Sequence, residues 1–168
     1  MLIKKDTILF TVIIFLLIGS KIYSEDHYTR YLSPGITFGW NFGNGFAITP
    51  KIGLGVFNED GGTYYNMTYG FNFCPGKNYE NSDFHSYHFV EFEIGSIPKC
   101  SGGGLGIAFW TSNNKTQICP KLTAFIGLIF FVNMDVVITD NGINANLGLQ
   151  PNIPFPIEHL KNSFRPGG

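Results

Sequence analysis

The sequence predicts an all-β protein of about eight antiparallel strands, and three observations lead to this fold class. Large apolar residues alternate with small or polar ones through most of the chain, which is the period of a strand and not of a helix. Short segments rich in Asn and Gly, which favour tight hairpins, separate the alternating segments. Beyond the N-terminal segment, no stretch shows helical periodicity. Successive hairpins predict an up-and-down order of strands.

The N-terminal residues have the order of a secretory signal peptide. Lys4 and Lys5 precede an apolar run over residues 8–18, and the small residues Ser20 and Ser24 follow it. The run has about half of the roughly 20 residues that a membrane-spanning helix needs, so a cleaved signal is favoured over an anchor. We predict a signal peptide over residues 1–24, with cleavage after Ser20 as an alternative.

The composition is unusual for a soluble protein of this size. The chain has 21 Gly and 17 Phe among its 168 residues, and only 14% of its residues are charged, against about 25% on average. An ordinary charged, water-facing surface is therefore not predicted. The net charge of −1 and the lack of a basic cluster argue against nucleic acid as a partner.

A polar lead-in over residues 25–35 precedes the alternating segments. These segments predict strands at residues 36–42, 48–56, 63–73, 87–97, 104–111, 122–138 and 143–150. The run over residues 122–138 is too long for an ordinary strand, so it is either one long strand or two strands joined by a turn at residues 133–135. Polar loops are predicted at residues 74–86 and 112–120. Residues 151–168, with four prolines, are predicted to form a tail.

The second face of the predicted strands carries small residues instead of charged ones. In the first strand, for example, Thr37, Gly39 and Asn41 lie opposite Phe38 and Trp40. A half-buried sheet in water usually presents charged and polar residues to the solvent. A small barrel in lipid has the inverse arrangement, with large apolar residues outside and small or polar residues filling a narrow lumen.

On these features, residues 36–150 resemble the small bacterial outer-membrane β-barrel proteins. The resemblance rests on strand lengths, on the strict alternation, and on Trp, Tyr and Phe near strand ends. It implies an antiparallel up-and-down β-barrel of about eight strands in the outer membrane, with lipid as a partner. Its role would be structural or one of surface interaction, and its lumen would be closed. The chain departs from this family's pattern in continuing past the last predicted strand.

A secreted or periplasmic soluble protein is the alternative. In that case the Ile, Leu and Phe faces form the core of a β-barrel or β-sandwich, and Gly, Asn and Thr face water. Such a domain would bind a protein partner or an apolar ligand.

Four charged residues are predicted to form a polar network in the lumen. Glu91 and Glu93 share one face of a strand, and paired carboxylates can perform acid–base chemistry. A structural network is favoured here because Lys51 and Asp135 lie on inward faces and can neutralise the pair. No nucleophile motif or phosphate-binding loop accompanies these residues, so we expect no enzymatic activity and no cofactor.

The three cysteines predict one disulfide. In an up-and-down barrel the loops after the third and fifth strands lie at the same end, so Cys74 and Cys119 can meet there, whereas Cys100 lies at the other end. We therefore predict a disulfide between Cys74 and Cys119 in an oxidising compartment. The cysteine spacing fits no zinc pattern, and no metal site is expected.

The same two loops are the longest ones predicted, which is typical of the outward-facing end of a membrane barrel. Any extracellular partner is expected to bind there. The candidate contact residues are Lys77, Tyr79, Phe84, Asn113 and Lys115.

Overall fold

A computed structural model describes residues 28–74, 85–112, 115–127, 130–140, 142–151 and 155–157. The predicted signal peptide, residues 1–24, lies outside these ranges. Within them, no helix combines the length and the apolar character needed to cross a membrane.

The described residues form eight long antiparallel strands and one short strand, which confirms the all-β, up-and-down fold class. Each of the eight long strands pairs with the next long strand along the chain, and β1 also pairs with β8, so that the sheet closes into a barrel. The strands are β1 (Tyr28–Asn41), β2 (Gly45–Asn58), β3 (Thr63–Cys74), β4 (His85–Ser96), β5 (Ser101–Ser112), β6 (Lys115–Gly127), β7 (Phe130–Thr139), β8 (Gly142–Pro151) and β9 (Phe155–Pro156).

The two ends of the barrel differ in their connections. We call the end where β1 begins and β8 ends the lower end, and the opposite end the upper end. The long connection over residues 75–84 joins β3 to β4 at the upper end, whereas turns over residues 59–62 and 97–100 lie at the lower end. At the upper end, Asn41 Oδ1 accepts hydrogen bonds from the Gly43 and Asn44 backbone amides at 3.0 and 2.8 Å and so shapes the first hairpin.

The register of the strands fixes their tilt. Starting at Thr29, the directly paired residues on successive strands are Phe57, Tyr64, Gly95, Gly102, Phe125, Asn133 and Gly148. Gly148 then pairs with Gly39, so one circuit returns to β1 ten residues beyond its start. For eight strands spaced about 4.8 Å apart, this shear gives a tilt of about 40° and a backbone radius of about 8 Å.

The last strand closes the barrel in two pieces that share one register. Phe38 pairs with Leu149 of β8, and Leu32 pairs with Phe155 of β9. The interval from Leu32 to Phe38 on β1 equals the interval from Leu149 to Phe155, so β9 lies where a continuation of β8 would lie. This corrects the predicted boundary at residue 150, because part of the predicted tail belongs to the wall.

Two further strand predictions need correction. β1 begins at Tyr28, so most of the predicted lead-in is wall. The long apolar run forms two strands, but residues 133–135 lie inside β7, and the chain reverses between Gly127 and Phe130 instead. The Gly127 φ of 144° is unfavourable for residues with a side chain, which explains why a glycine lies at the end of β6.

The loop predicted over residues 112–120 is also shorter than expected. β5 continues to Ser112 and β6 begins at Lys115, so only residues 113–114 connect them. Polar residues such as Thr116 and Gln117 belong to a strand that extends beyond the apolar part of the barrel. Polarity alone therefore misidentified the upper part of β6 as a loop.

The predicted disulfide between Cys74 and Cys119 is not formed, and all three cysteines are free. β4 and β5 separate the strands that carry the pair, which puts three interstrand spacings of about 4.8 Å between them. A disulfide requires Cα atoms within about 7 Å. The Cys74 thiol instead donates to Asn72 Oδ1 at 3.0 Å.

A cysteine pair tests the closure by β9. Leu32→Cys and Phe155→Cys, introduced together after the native cysteines are replaced by Ala, should form a disulfide under mild oxidation because the two positions are directly opposed. The combination of Leu32→Cys with Leu149→Cys should remain unlinked, since those positions are offset along the seam. Non-reducing gels of the folded protein distinguish the two. Equal cross-linking of both pairs, or of neither, would contradict the shared register.

Candidate functional site

The interior of the barrel contains a cluster of buried charged residues at mid-height. Glu91 on β4, Lys121 on β6 and Asp135 on β7 all point inward and are at most 5% exposed. Lys121 Nζ forms an ion pair with Glu91 Oε2 and a second with Asp135 Oδ1 at 2.8 Å. One ammonium group therefore joins three strands across the lumen.

Thr123 completes this cluster. Its hydroxyl oxygen lies 2.6 Å from Glu91 Oε2 and 2.8 Å from Asp135 Oδ1, so it donates to one carboxylate at a time. It accepts a hydrogen bond from Lys121 Nζ at 2.5 Å. The Lys121 ammonium also lies 4.3 Å from the centroid of the Phe89 ring, a cation–π contact. The ammonium therefore has polar or aromatic partners on β4, β6 and β7.

A second ion pair lies below the first. Lys51 Nζ is 3.4 Å from Glu93 Oε1, and both side chains are almost fully buried. Glu93 Oε2 accepts hydrogen bonds from Asn66 Nδ2 at 2.7 Å and from Thr68 Oγ1 at 3.0 Å. Glu93 thus has two neutral donors in addition to its own lysine, whereas Glu91 and Asp135 share one lysine and the Thr123 hydroxyl.

The five charged side chains are tied to the wall by hydrogen bonds rather than arranged around an open site. Burial of unpaired charge is costly, and removing one partner of a buried ion pair typically costs more than the pair contributes. Among the described residues, Glu91 Oε1 is buried without a hydrogen-bond partner. No group of His, Cys, Asp and Glu side chains suited to hold a metal ion occurs in the described part of the chain.

The structure places all four residues of the predicted lumen network, Lys51, Glu91, Glu93 and Asp135, on the inner wall. The sequence interpretation missed Lys121, which contacts two of them. The signal was present, because Leu122 on the outer face requires Lys121 to face inward. It was overlooked because the strand was predicted to begin only at residue 122.

Above the charged cluster, an aromatic layer fills the upper lumen. Its buried members are Tyr87, Phe89, Ala108, Trp110, Cys119 and Val137. The Tyr87 and Trp110 rings stack with centroids 5.2 Å apart, and the Tyr87 hydroxyl accepts a hydrogen bond from Asn146 Nδ2 at 3.0 Å. This layer separates the charged cluster from the upper end.

Below the charged cluster, aromatic rings pack directly on glycines of the wall. A Cβ atom added to Gly55 would come within 2.4 Å of the Tyr31 ring, and one added to Gly95 within 2.3 Å of the Tyr64 ring. The glycines therefore provide the space that these rings occupy. A cavity of about 20 Å³ remains in this region between Lys51, Glu93 and the rings, which is room for about one water molecule.

The outer face of the barrel is apolar between its two ends. Exposed aromatic residues lie towards the upper end at Trp40, Phe42 and Phe46, and towards the lower end at Phe130 and Phe155. Between them, the exposed side chains include Ile52, Leu54, Leu105, Ile107, Leu122, Val132, Met134 and Leu147. We call this surface the outer apolar face.

A polar contact between Tyr69 and His88 lies on the outer apolar face. The Tyr69 hydroxyl and His88 Nδ1 lie 2.8 Å apart, and the two rings stack. The polar groups of these two side chains therefore satisfy each other.

The predicted loop contacts Lys77, Tyr79, Phe84 and Asn113 lie outside the described residues. Lys115 is the first residue of β6 and not a loop residue. A comparison of the chain with protein-family models, with curated proteins and with solved structures found no match. The assignment of function therefore rests on the geometry of the barrel.

The charged cluster predicts a large cost for the loss of Lys121. Lys121→Met should destabilise the barrel by about 3–5 kcal/mol, because Glu91 and Asp135 would stay buried without their cation. The measurement is the free energy of unfolding in urea. Adding Glu91→Gln and Asp135→Asn to Lys121→Met should recover much of the loss.

Lys51→Met is the matched control. It should cost clearly less, since the Lys51 contact is longer and Glu93 keeps its bonds from Asn66 and Thr68. Equal losses for the two lysine variants would show that the Lys121 cluster has no special role in the interior.

Proposed function

We propose that this protein is a small outer-membrane β-barrel with a closed lumen and a structural or surface-interaction role. The main support for the proposal is that the barrel has the reverse of the side-chain distribution of a soluble barrel. Five charged side chains, Lys51, Glu91, Glu93, Lys121 and Asp135, are buried inside, and many large apolar side chains are exposed outside. Lipid is the solvent that makes this distribution favourable.

The dimensions of the wall support a membrane location. Its eight long strands have 10 to 14 residues each. At a tilt of about 40°, ten residues rise about 25 Å along the axis, which is the height of the apolar band on membrane barrels. Aromatic residues near both margins of the outer apolar face match the positions of the two interfacial girdles.

A soluble barrel would face two difficulties. Soluble monomers rarely expose a contiguous apolar patch larger than about 300–600 Å², and here such residues surround the wall. A soluble barrel that carries an apolar ligand also needs a large apolar cavity, whereas the lower lumen leaves about 20 Å³ beside charged groups. Neither observation favours the soluble alternative.

The two ends support an orientation. Outer-membrane barrels keep short turns on the periplasmic side and longer loops outside. The connections at the lower end have at most four residues each, whereas a connection of ten residues, 75–84, lies at the upper end. We therefore propose that the lower end faces the periplasm and that any extracellular partner binds at the upper end.

We propose no catalytic role for the lumen carboxylates, because their hydrogen bonds hold them against other buried side chains. If Glu91 had a catalytic role, wild-type protein would hydrolyse ester substrates and Glu91→Ala would not. We expect no difference in hydrolysis between the two.

The membrane proposal is tested by extraction and gel mobility. When expressed with its signal in a Gram-negative bacterium, the protein should stay in the membrane fraction after carbonate washing. It should also migrate differently on gels before and after boiling, as folded membrane barrels do. Release into the soluble fraction would refute the proposal.

Two arginine substitutions at different heights on the barrel test the same proposal. Leu105→Arg, in the middle of the outer apolar face, should destabilise the vesicle-folded barrel by about 2–4 kcal/mol, and Ile97→Arg, in a lower turn, by about 0–1 kcal/mol. Urea titrations of both variants give the comparison. If the two arginines are tolerated equally well, the outer apolar face does not lie in a bilayer.

A further inference from the structure

The outer apolar face contains a groove of about 280 Å³. Its lining comes from four consecutive strands, β1 to β4, and consists of Leu32, Ile52, Leu54, Met67, Tyr69 and Val90, with Thr68 between Met67 and Tyr69. Except for Thr68, these side chains are all on the outward-facing side of the wall. The groove is therefore separate from the lumen.

The groove crosses the strands along the direction of their hydrogen bonds. Leu32 is paired with Leu54, and Leu54 with Met67. Higher on the wall, Tyr69 is paired with both Ile52 and Val90. Three interstrand spacings make the groove about 15 Å long, and because the strands tilt by about 40°, this direction lies about 50° from the barrel axis.

The chemistry of the groove suits a hydrocarbon and not a polar ligand. The hydroxyl group of Tyr69 is engaged with His88, which leaves the aromatic ring to line the groove. The other outward-facing side chains that line it are aliphatic or thioether groups. No charged side chain contributes to the lining.

We propose that this groove holds one acyl chain of a membrane lipid. The inference rests on the proposed membrane function and adds a preferred lipid position to it. The groove is continuous with the outer apolar face, so the chains of surrounding lipids are the groups that meet it. A chain in the groove contacts apolar side chains along its length, and it stays there longer than a chain on the convex parts of the wall.

Photolabelling tests the proposal. The mature chain is folded into phosphatidylethanolamine vesicles that contain a lipid with a diazirine on one acyl chain, and labelled residues are mapped by mass spectrometry after irradiation. Met67 in the groove should carry at least about threefold more label than Met134 on β7. Met134 is 48% exposed and Met67 is only partly exposed, so exposure alone predicts the opposite order.

Filling the groove gives a second readout. Val90→Trp should lower the labelling of Met67 several-fold and leave Met134 unchanged. Ile118→Trp, on the outer face of β6 and away from both methionines, is the matched control and should change the labelling of neither. If Val90→Trp does not fold, the comparison of Met67 with Met134 in the native chain still decides the question.

The possible results test the acyl-chain site and the proposed membrane function separately. Equal labelling of Met67 and Met134 in a folded, membrane-inserted barrel overturns the acyl-chain site alone. Weaker labelling of Met67 than of Met134, together with dimers, means that a second copy covers the groove, and this also overturns the inference. If neither residue is labelled, the barrel is not in contact with lipid, and the proposed function fails as well.

Discussion

The structure depends on the pairing of β1 with both β2 and β8. This pairing closes the sheet, and a closed sheet has no edge at which backbone amides and carbonyls lack partners. Closure also gives every strand an inside and an outside, so the alternation of residues sorts them into two environments. The short strand β9 extends the seam in the register of β8, next to the lower part of β1.

The interior is filled in three layers whose chemistry differs. Aromatic rings occupy the upper lumen, ion pairs the middle, and rings packed on wall glycines the lower part. With a backbone radius of about 8 Å there is no room for a wide water channel once these side chains are in place. Lys121 is central to the middle layer because it neutralises carboxylates from two other strands, and a buried carboxylate without a cation is strongly destabilising. The ion pairs therefore connect strands across the lumen that are not neighbours in the sheet, such as β4 and β6.

Much of this architecture could be predicted from the sequence, because the period of two is local and fixes which face each residue occupies. Asn- and Gly-rich segments also predicted most of the strand ends, because the preference for a turn is local in the sequence. What failed were features that depend on partners across the barrel. The polar upper part of β6 pairs with β5 although it has no apolar alternation, and Pro156 pairs with Tyr31 although prolines suggested a tail. The expected disulfide does not form because two loops at the same end of a barrel can belong to strands that are far apart around its wall. The depth of the groove across β1 to β4 depends on side-chain packing, which the pattern of one strand does not contain.

The most direct test of the inverted barrel uses its two tryptophans. Trp40 is 50% exposed on the outer apolar face, and Trp110 is 8% exposed within the upper lumen. In vesicles of lipids with brominated acyl chains, the fluorescence of Trp110→Phe, which reports on Trp40, should be strongly quenched. The fluorescence of Trp40→Phe, which reports on Trp110, should be almost unaffected. Quenching of Trp110 with protection of Trp40 would contradict the account, and so would the absence of quenching in both variants.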